Sequence, residues 1–185
     1  PGVVKLVERN ASPKELTDEM IRIGRIIFMV LAVIWCGFAV FGQEFIVLWA
    51  GQENADAYIV ATILMSAYIV ILTESMGPQV LWAMNQHKEQ SILKIIIVML
   101  NIALTVVLIK WNPLIGATIG TFISLMLGDV GVMNLIFKKK LNIKLSYYYK
   151  GIFKGIVQCM LLTIIFGIVI RHLFPSGWIW LIIKL

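Results

Sequence analysis

Charge is scarce in this sequence. Of its 185 residues, 14% are Asp, Glu, Lys or Arg, whereas 60% are hydrophobic, and the mean hydropathy is +0.92. A soluble domain of this size needs a polar surface, which so few charged residues cannot supply. The hydrophobic residues come in blocks near the length of about 20 residues that crosses a bilayer core. The composition therefore excludes an ordinary soluble protein and predicts an integral membrane protein.

Cysteine and histidine are also scarce, with two of each. Cys36 and Cys159 lie far apart in hydrophobic blocks without a CxxC spacing, so they indicate neither a disulfide framework nor a metal site. His87 and His172 fall at opposite faces of the predicted bundle. No nucleophile with a neighbouring base, phosphate-binding loop or metal-ligand spacing accompanies them. We therefore expect no enzyme, no resident cofactor and no metal.

The hydrophobic blocks predict an all-α transmembrane bundle with five full crossings and the start of a sixth. Ser12 caps the first helix, and Glu15 completes a capping box. The first crossing is predicted to end at Phe41, because the stretch after Gly42 is too short to cross again. The predicted segments are a cytoplasmic connection and amphipathic helix start (1–25), four crossings (26–137), a basic cytoplasmic loop (138–150), and appended crossings of which the last is truncated (151–185).

Positive charge is distributed unevenly between the predicted loops. All but two of the 16 Lys and Arg residues fall on one side, the exceptions being Lys110 and Arg171. The positive-inside rule then places both ends of the chain in the cytoplasm. The run "KKKLNIKLSYYYK" from Lys138 to Lys150 is interpreted as a topology determinant that contacts anionic lipid headgroups. We expect membrane lipids as partners, and no nucleic acid.

The stretch "YIVILTESMGPQVLWAMNQHK" (68–88) combines a carboxylate with a helix breaker. Pro78 cannot donate to the carbonyl of Glu74, which this leaves free, and Gly77 loosens the turn between them. We therefore predict a broken helix with a hinge at Gly77 and Pro78. In transporters such breaks meet a substrate or an ion, so Glu74 is a candidate contact. The alternative is that Glu74 reaches the headgroups, because it lies roughly 26 Å along a core about 30 Å thick.

Other polar residues lie inside the third and fourth predicted crossings. Asp129 is a second intramembrane acid, and such acids usually face a bundle interior or a water-filled cavity. Lys94, Asn101 and Thr105 form a narrow stripe at helical spacing. Lys94 is a candidate partner for Glu74 or Asp129, with snorkelling to the headgroups as the alternative. Lys94, Asn101 and Asp129 are thus candidate cavity, ion or substrate contacts.

Small residues recur at four-residue spacing on two of the predicted helices. Such residues let helices approach closely, as in GxxxG contacts, and predict packing faces. The positions are Gly116, Gly120, Ser124 and Gly128 in the fourth crossing, and Gly151 and Gly155 in the fifth.

Three stretches of the chain together resemble one family of transporters. They are "PGVVKLVERNASPKELTDEMIRIGRI", "FGQEFIVLWAGQENADAYIVATILM" and "IGATIGTFISLMLGDVGVMNLIF", with "NQHKEQSI" between the last two. In that order they resemble bacterial oligosaccharide flippases, the polysaccharide-biosynthesis transporters of the multidrug/oligosaccharidyl-lipid/polysaccharide exporter superfamily. The resemblance implies roughly twelve to fourteen helices in two six-helix lobes around a cavity. The crossings at 26–137 would end the second lobe, and those at 151–185 would be appended helices.

The resemblance also implies a function. The protein would move a lipid-linked oligosaccharide from the inner to the outer leaflet of the bacterial cytoplasmic membrane, by alternating access, for cell-surface polysaccharide synthesis. Implied partners are that lipid, an N-terminal lobe of the same chain and a polysaccharide polymerase. The acids would bind a coupling ion, H⁺ or Na⁺, and Lys94 the pyrophosphate of the substrate. Alternatives are a cation-coupled exporter of small molecules or drugs from the same superfamily, a membrane-embedded transferase acting on polyprenyl lipids, and a scaffold subunit.

Overall fold

The computed structural model describes residues 9, 11–86, 88–173 and 177, without the side chains of residues 89 and 172. All regular structure in these residues is helical. Three of the described helices are long and apolar enough to cross a membrane, or up to five if each of two bent pairs is one span. The predicted all-α fold is therefore confirmed for the described part, which has three to five helices or helix pairs that could cross a membrane. The predicted sixth crossing from Trp178, and residues 1–8 of the predicted connection, lie outside the described residues.

The first helix, α1 (Pro13–Ala50), is the longest, with 38 residues. Its start follows the sequence signals, since the Ser12 side chain accepts a hydrogen bond from the backbone N–H of Glu15 at 3.2 Å. It continues past the predicted end at Phe41, because a single glycine at Gly42 costs too little to stop a helix of good helix formers. Gly51, with φ +92°, ends it. A short 3₁₀ turn (Gln52–Asn54) then leads to the next helix.

The predicted break after Glu74 is present, between α2 (Ala57–Thr73) and α3 (Met76–Ala83), which are bent by 41°. The Glu74 carbonyl is not left free, as it accepts a hydrogen bond from the N–H of Gly77 at 2.9 Å. Gly77 is also tightly packed, because a Cβ added there would lie 2.2 Å from Cζ of Phe137. The structure therefore gives this predicted hinge residue a packing role at the bend.

The middle of the chain forms a helical hairpin. Its first arm is α4 (Lys88–Leu108), and its second is one continuous span, Pro113–Leu141, made of α5 (Pro113–Leu125), a π-helical segment (Met126–Val132) and α6 (Met133–Leu141). The small residues of the second arm face α4. A Cβ added to Gly116 would lie 2.2 Å from the carbonyl oxygen of Leu108, and one added to Gly120 would lie 3.1 Å from the backbone nitrogen of Thr105. A Cβ added to Gly128 would lie 2.1 Å from Cγ1 of Ile97. Ser124 is fully buried on the same side, and the predicted packing face is observed.

The segment 138–150, predicted to be a basic connection between two crossings, is mostly helical. α6 ends at Asn142, which adopts the left-handed conformation with φ +53°, and α7 (Leu145–Phe153) follows at once. After a 40° bend, α8 (Ile156–Leu173) begins, and α7 and α8 together are long and apolar enough to form one bent span. Gly151 packs against Ile21, as predicted for a packing position. Gly155 does not, because it lies in the bend with φ +82° and has no atom within 4 Å of an added Cβ.

The tightest core lies where α1, α3, α6 and α7 meet. Its largest fully buried side chains come from these four helices: Tyr148, Phe137, Met20, Leu81, Ile152 and Val80. In contrast, α4 and α8 carry large exposed hydrophobic side chains, among them Ile95, Met99, Val107, Leu162 and Phe166. Such surfaces suit hydrocarbon, where lipid tails are as apolar as the side chains. The best-packed part of the bundle therefore surrounds the broken helix.

The contact between α4 and α5 predicts that Gly116→Ala destabilises the protein. The added methyl would meet backbone atoms of Leu108, which cannot swing aside as a side chain does. We expect the free energy of unfolding to fall by about 1–3 kcal/mol, measured by thermal unfolding followed by circular dichroism. The matched control is Gly131→Ala, whose Cβ would meet only the Met126 carbonyl oxygen at 3.4 Å. Equal stability of the two variants would contradict the close contact.

Candidate functional site

Glu74 lies at the end of α2, where the chain bends, and its side chain turns inward. Although it is an acid, Glu74 is only 2% exposed. The backbone at the bend is satisfied, because the Glu74 N–H donates to the carbonyls of Val70 and Ile71, each at 3.2 Å. The predicted alternative, in which the carboxylate extends to the lipid headgroups, does not match this burial. The bend thus places the acid inside the bundle.

Two side chains from distant helices bind the Glu74 carboxylate. The Asn134 amide nitrogen, on α6, donates to Oε1 at 3.1 Å and to Oε2 at 3.3 Å. The Tyr149 hydroxyl, on α7, donates to Oε1 and accepts from the Asn134 amide. None of the ion pairs between described residues includes Glu74. The acid is therefore held by neutral donors, and we call Glu74, Asn134 and Tyr149 the carboxylate cluster.

Close packing keeps the carboxylate cluster dry. At Gly24 of α1, an added Cβ would lie 2.9 Å from the Thr73 carbonyl oxygen and 3.1 Å from Cδ1 of Ile152, so α2 and α7 both rest on α1 there. The Tyr149 ring stacks on Phe153 with centroids 5.6 Å apart. In such low-dielectric surroundings each hydrogen bond is stronger, and an unpaired polar group is more costly. The cluster therefore joins three helices, α2, α6 and α7, at one buried carboxyl group.

Lys94 and Asp129 form a second polar site. The Lys94 ammonium on α4 is ion-paired with Asp129 in the π-helical segment, and their side chains are 58% and 7% exposed. Of the two partners predicted for Lys94, the structure selects Asp129. π-helical turns inside α-helices are rare and are frequently found at functional sites. The pair leaves more than half of the Lys94 side chain exposed at the surface of the bundle.

Asn101 forms part of a polar ladder between α4 and α5. Its amide nitrogen donates to the Thr121 hydroxyl at 3.3 Å, and its carbonyl oxygen accepts from the Thr105 hydroxyl at 3.1 Å. Thr121 in turn donates to the carbonyl of Ala117 at 3.0 Å. These bonds occupy the amide of Asn101 between the two helices. Its observed role is to bridge them, and the predicted cavity contact stays a prediction.

The sequence-predicted side chains are therefore divided among three places. Glu74 lies in the carboxylate cluster, Lys94 pairs with Asp129, and Asn101 bridges α4 and α5. Sequence reasoning missed the two other members of the cluster. A signal existed for each, because Asn134 is a lone amide in the apolar run "GVMNLIF" and Tyr149 belongs to the run of three tyrosines in "LSYYYK". Neither signal says which helix the side chain faces.

The fold and the two polar sites together define the class of protein. It is an all-helical membrane protein with a buried carboxylate at a bent helix pair. Among the described residues, no group of three or more His, Cys, Asp or Glu side chains could hold a metal ion. Compared with known proteins, the chain matches no protein-family model, no curated protein and no solved structure.

The Lys94–Asp129 pair predicts an asymmetric response to substitution. Lys94→Met would leave the buried Asp129 carboxylate without its cation and lower the free energy of unfolding by about 2 kcal/mol. Asp129→Asn should cost less, because the exposed Lys94 ammonium can turn toward water or headgroups. In the double variant no buried charge is left unpaired, so it should be more stable than Lys94→Met alone. Thermal unfolding of the purified variants measures this order, and equal losses in both single variants would contradict it.

Proposed function

We propose that this chain is part of a flippase that carries a lipid-linked oligosaccharide from the inner to the outer leaflet of the bacterial cytoplasmic membrane by alternating access. The resemblance of its three sequence stretches to oligosaccharide flippases supports this function. The observation that carries it in the structure is the Glu74 carboxylate, which is buried at the bend between α2 and α3. Intramembrane acids are costly and are retained at ion and substrate pathways.

The partners of Glu74 suit a coupling ion, H⁺ or Na⁺. Asn134 and Tyr149 are neutral donors, so the acid can take up a proton or a small cation without first breaking an ion pair. Loss of its charge would then weaken the hydrogen bonds that hold three helices together, because bonds to ionised groups are roughly twice as strong as neutral ones. A change at one carboxylate would in this way favour a different arrangement of the helices.

The second polar site supports an anionic substrate. Lys94 is ion-paired with Asp129, and its side chain is 58% exposed on a mostly hydrophobic helix. An accessible cation of this kind attracts a pyrophosphate-linked lipid and repels a cationic drug. The alternative, a cation-coupled exporter of small molecules, is favoured only by the acid at Glu74. The charge at Lys94 leads us to prefer the flippase.

The direct test is to deplete the protein in its host and locate the lipid-linked oligosaccharide with a probe that reaches only the outer leaflet. The proposal expects the oligosaccharide to accumulate on the cytoplasmic side. Normal delivery to the outer leaflet, in a strain without a redundant flippase, would reject the flippase and favour the small-molecule exporter.

Substitutions in the full-length gene test the two polar sites within this function. Glu74→Gln removes the charge but keeps the shape, and should slow delivery by about tenfold, the equivalent of one charge-assisted hydrogen bond. Lys94→Gln should slow it similarly by weakening the attraction for the pyrophosphate. The matched controls are Glu53→Gln and Lys110→Gln, which alter exposed residues outside both sites. Unchanged delivery and unchanged ion dependence in Glu74→Gln would remove Glu74 from the mechanism.

A further inference from the structure

The α7 helix is placed to act on the carboxylate cluster from outside. Its inner face is anchored in the core, since Tyr148 and Ile152 are almost fully buried and Gly151 packs against Ile21. Tyr149 on the same helix reaches Glu74, 75 residues earlier in the chain. A helix of nine residues is too short to be stable alone, so α7 exists only while it is docked.

Both ends of α7 have turns that can act as hinges. Before it, Asn142 adopts the left-handed conformation with φ +53°. After it, Gly155 has φ +82°, which favours glycine, and no atom lies within 4 Å of an added Cβ. The Gly155 Cα therefore faces open space, and no packed neighbour fixes this turn. Of the helices that form the cluster, α7 is the one with a left-handed turn at each end.

The polar contacts of α7 differ in strength. Tyr147 donates to the Asp18 carboxylate at 2.8 Å, and the Arg25 guanidinium donates to the carbonyls of Gly151 and Lys154, both at 3.3 Å. These contacts are exposed, and water competes with them. The bond from Tyr149 to Glu74 is largely shielded and charge-assisted, so it contributes more. The docking of α7 should therefore depend on this bond more than on the exposed ones.

We propose that α7 is a latch over the bend between α2 and α3, and that Tyr149 is the positioning residue that closes it on Glu74. While Glu74 is ionised, Tyr149 holds α7 in place and completes the wall around the acid. When the charge of Glu74 is neutralised, the hold weakens and α7 undocks more often, together with the basic segment that carries Lys144 and Lys150. The latch is a property of the helix bundle and holds whether or not the protein carries an oligosaccharide.

Limited digestion with trypsin tests the latch. Lys150 is exposed, but it lies within α7 and resists cleavage while α7 is docked, because a protease needs a locally unfolded chain. In the full-length protein in lipid nanodiscs, we expect Glu74→Gln and Tyr149→Phe each to raise cleavage at Lys150 by about tenfold. The double variant should show little more than either single variant, since Glu74→Gln weakens and Tyr149→Phe removes the same charge-assisted bond. Tyr147→Phe is the matched control and should change cleavage by less than about twofold.

Two outcomes would overturn the latch: unchanged cleavage in Glu74→Gln, or a double variant whose effect is the product of the single effects. Cleavage at Lys110, in the exposed turn between α4 and α5, serves as the internal reference for trypsin activity, because it does not depend on the docking of α7. Hydrogen exchange of the wild-type protein adds a measurement that needs no variant. The amide hydrogens of residues 145–153 should exchange together, and faster than those of the part of α1 that faces them. If they exchange only when the whole protein unfolds, the latch is contradicted.

Discussion

The arrangement of this helix bundle depends on providing hydrogen bonds to one carboxylate that is buried away from water. An ionised acid in low dielectric must be hydrogen-bonded or it destabilises the fold by several kcal/mol. Glu74 meets this requirement with Asn134 from α6 and Tyr149 from α7, at the point where α2 ends. The relative positions of these helices are therefore linked through one group. The same group is the natural place for a protonation or ion-binding step to act on the fold.

Close helix contacts bring these groups within reach of one another. At Gly24, backbone and side-chain atoms of α2 and α7 lie near 3 Å from where a Cβ would be, and at Gly77 the Phe137 ring occupies that space. A side chain at either position would push the helices apart by more than a hydrogen bond tolerates. The two glycines beside the bend thus allow the helices to approach closely enough for the hydrogen bonds of the carboxylate cluster to form.

One continuous span carries a member of each polar site. Asp129 in the π-helical segment faces Lys94 on α4, whereas Asn134, just beyond it on α6, faces Glu74. The π-helical turn changes the angular spacing along the span, and this lets neighbouring polar residues point to different partners. A shift of this span would therefore affect both polar sites, as the proposed coupling between them requires.

The sequence by itself determined the class of protein, because its hydrophobic composition rules out a soluble fold. It also located the break in the helix, because Pro78 has no N–H to donate to the Glu74 carbonyl. It also located the packing face of Gly116, Gly120 and Gly128. Only the tertiary structure decided which groups hold Glu74, since Asn134 and Tyr149 follow it by 60 and 75 residues and local periodicity does not tell which faces meet. It also decided that 145–153 is helical, because so short a helix forms only where α1 and the carboxylate cluster bury its inner face.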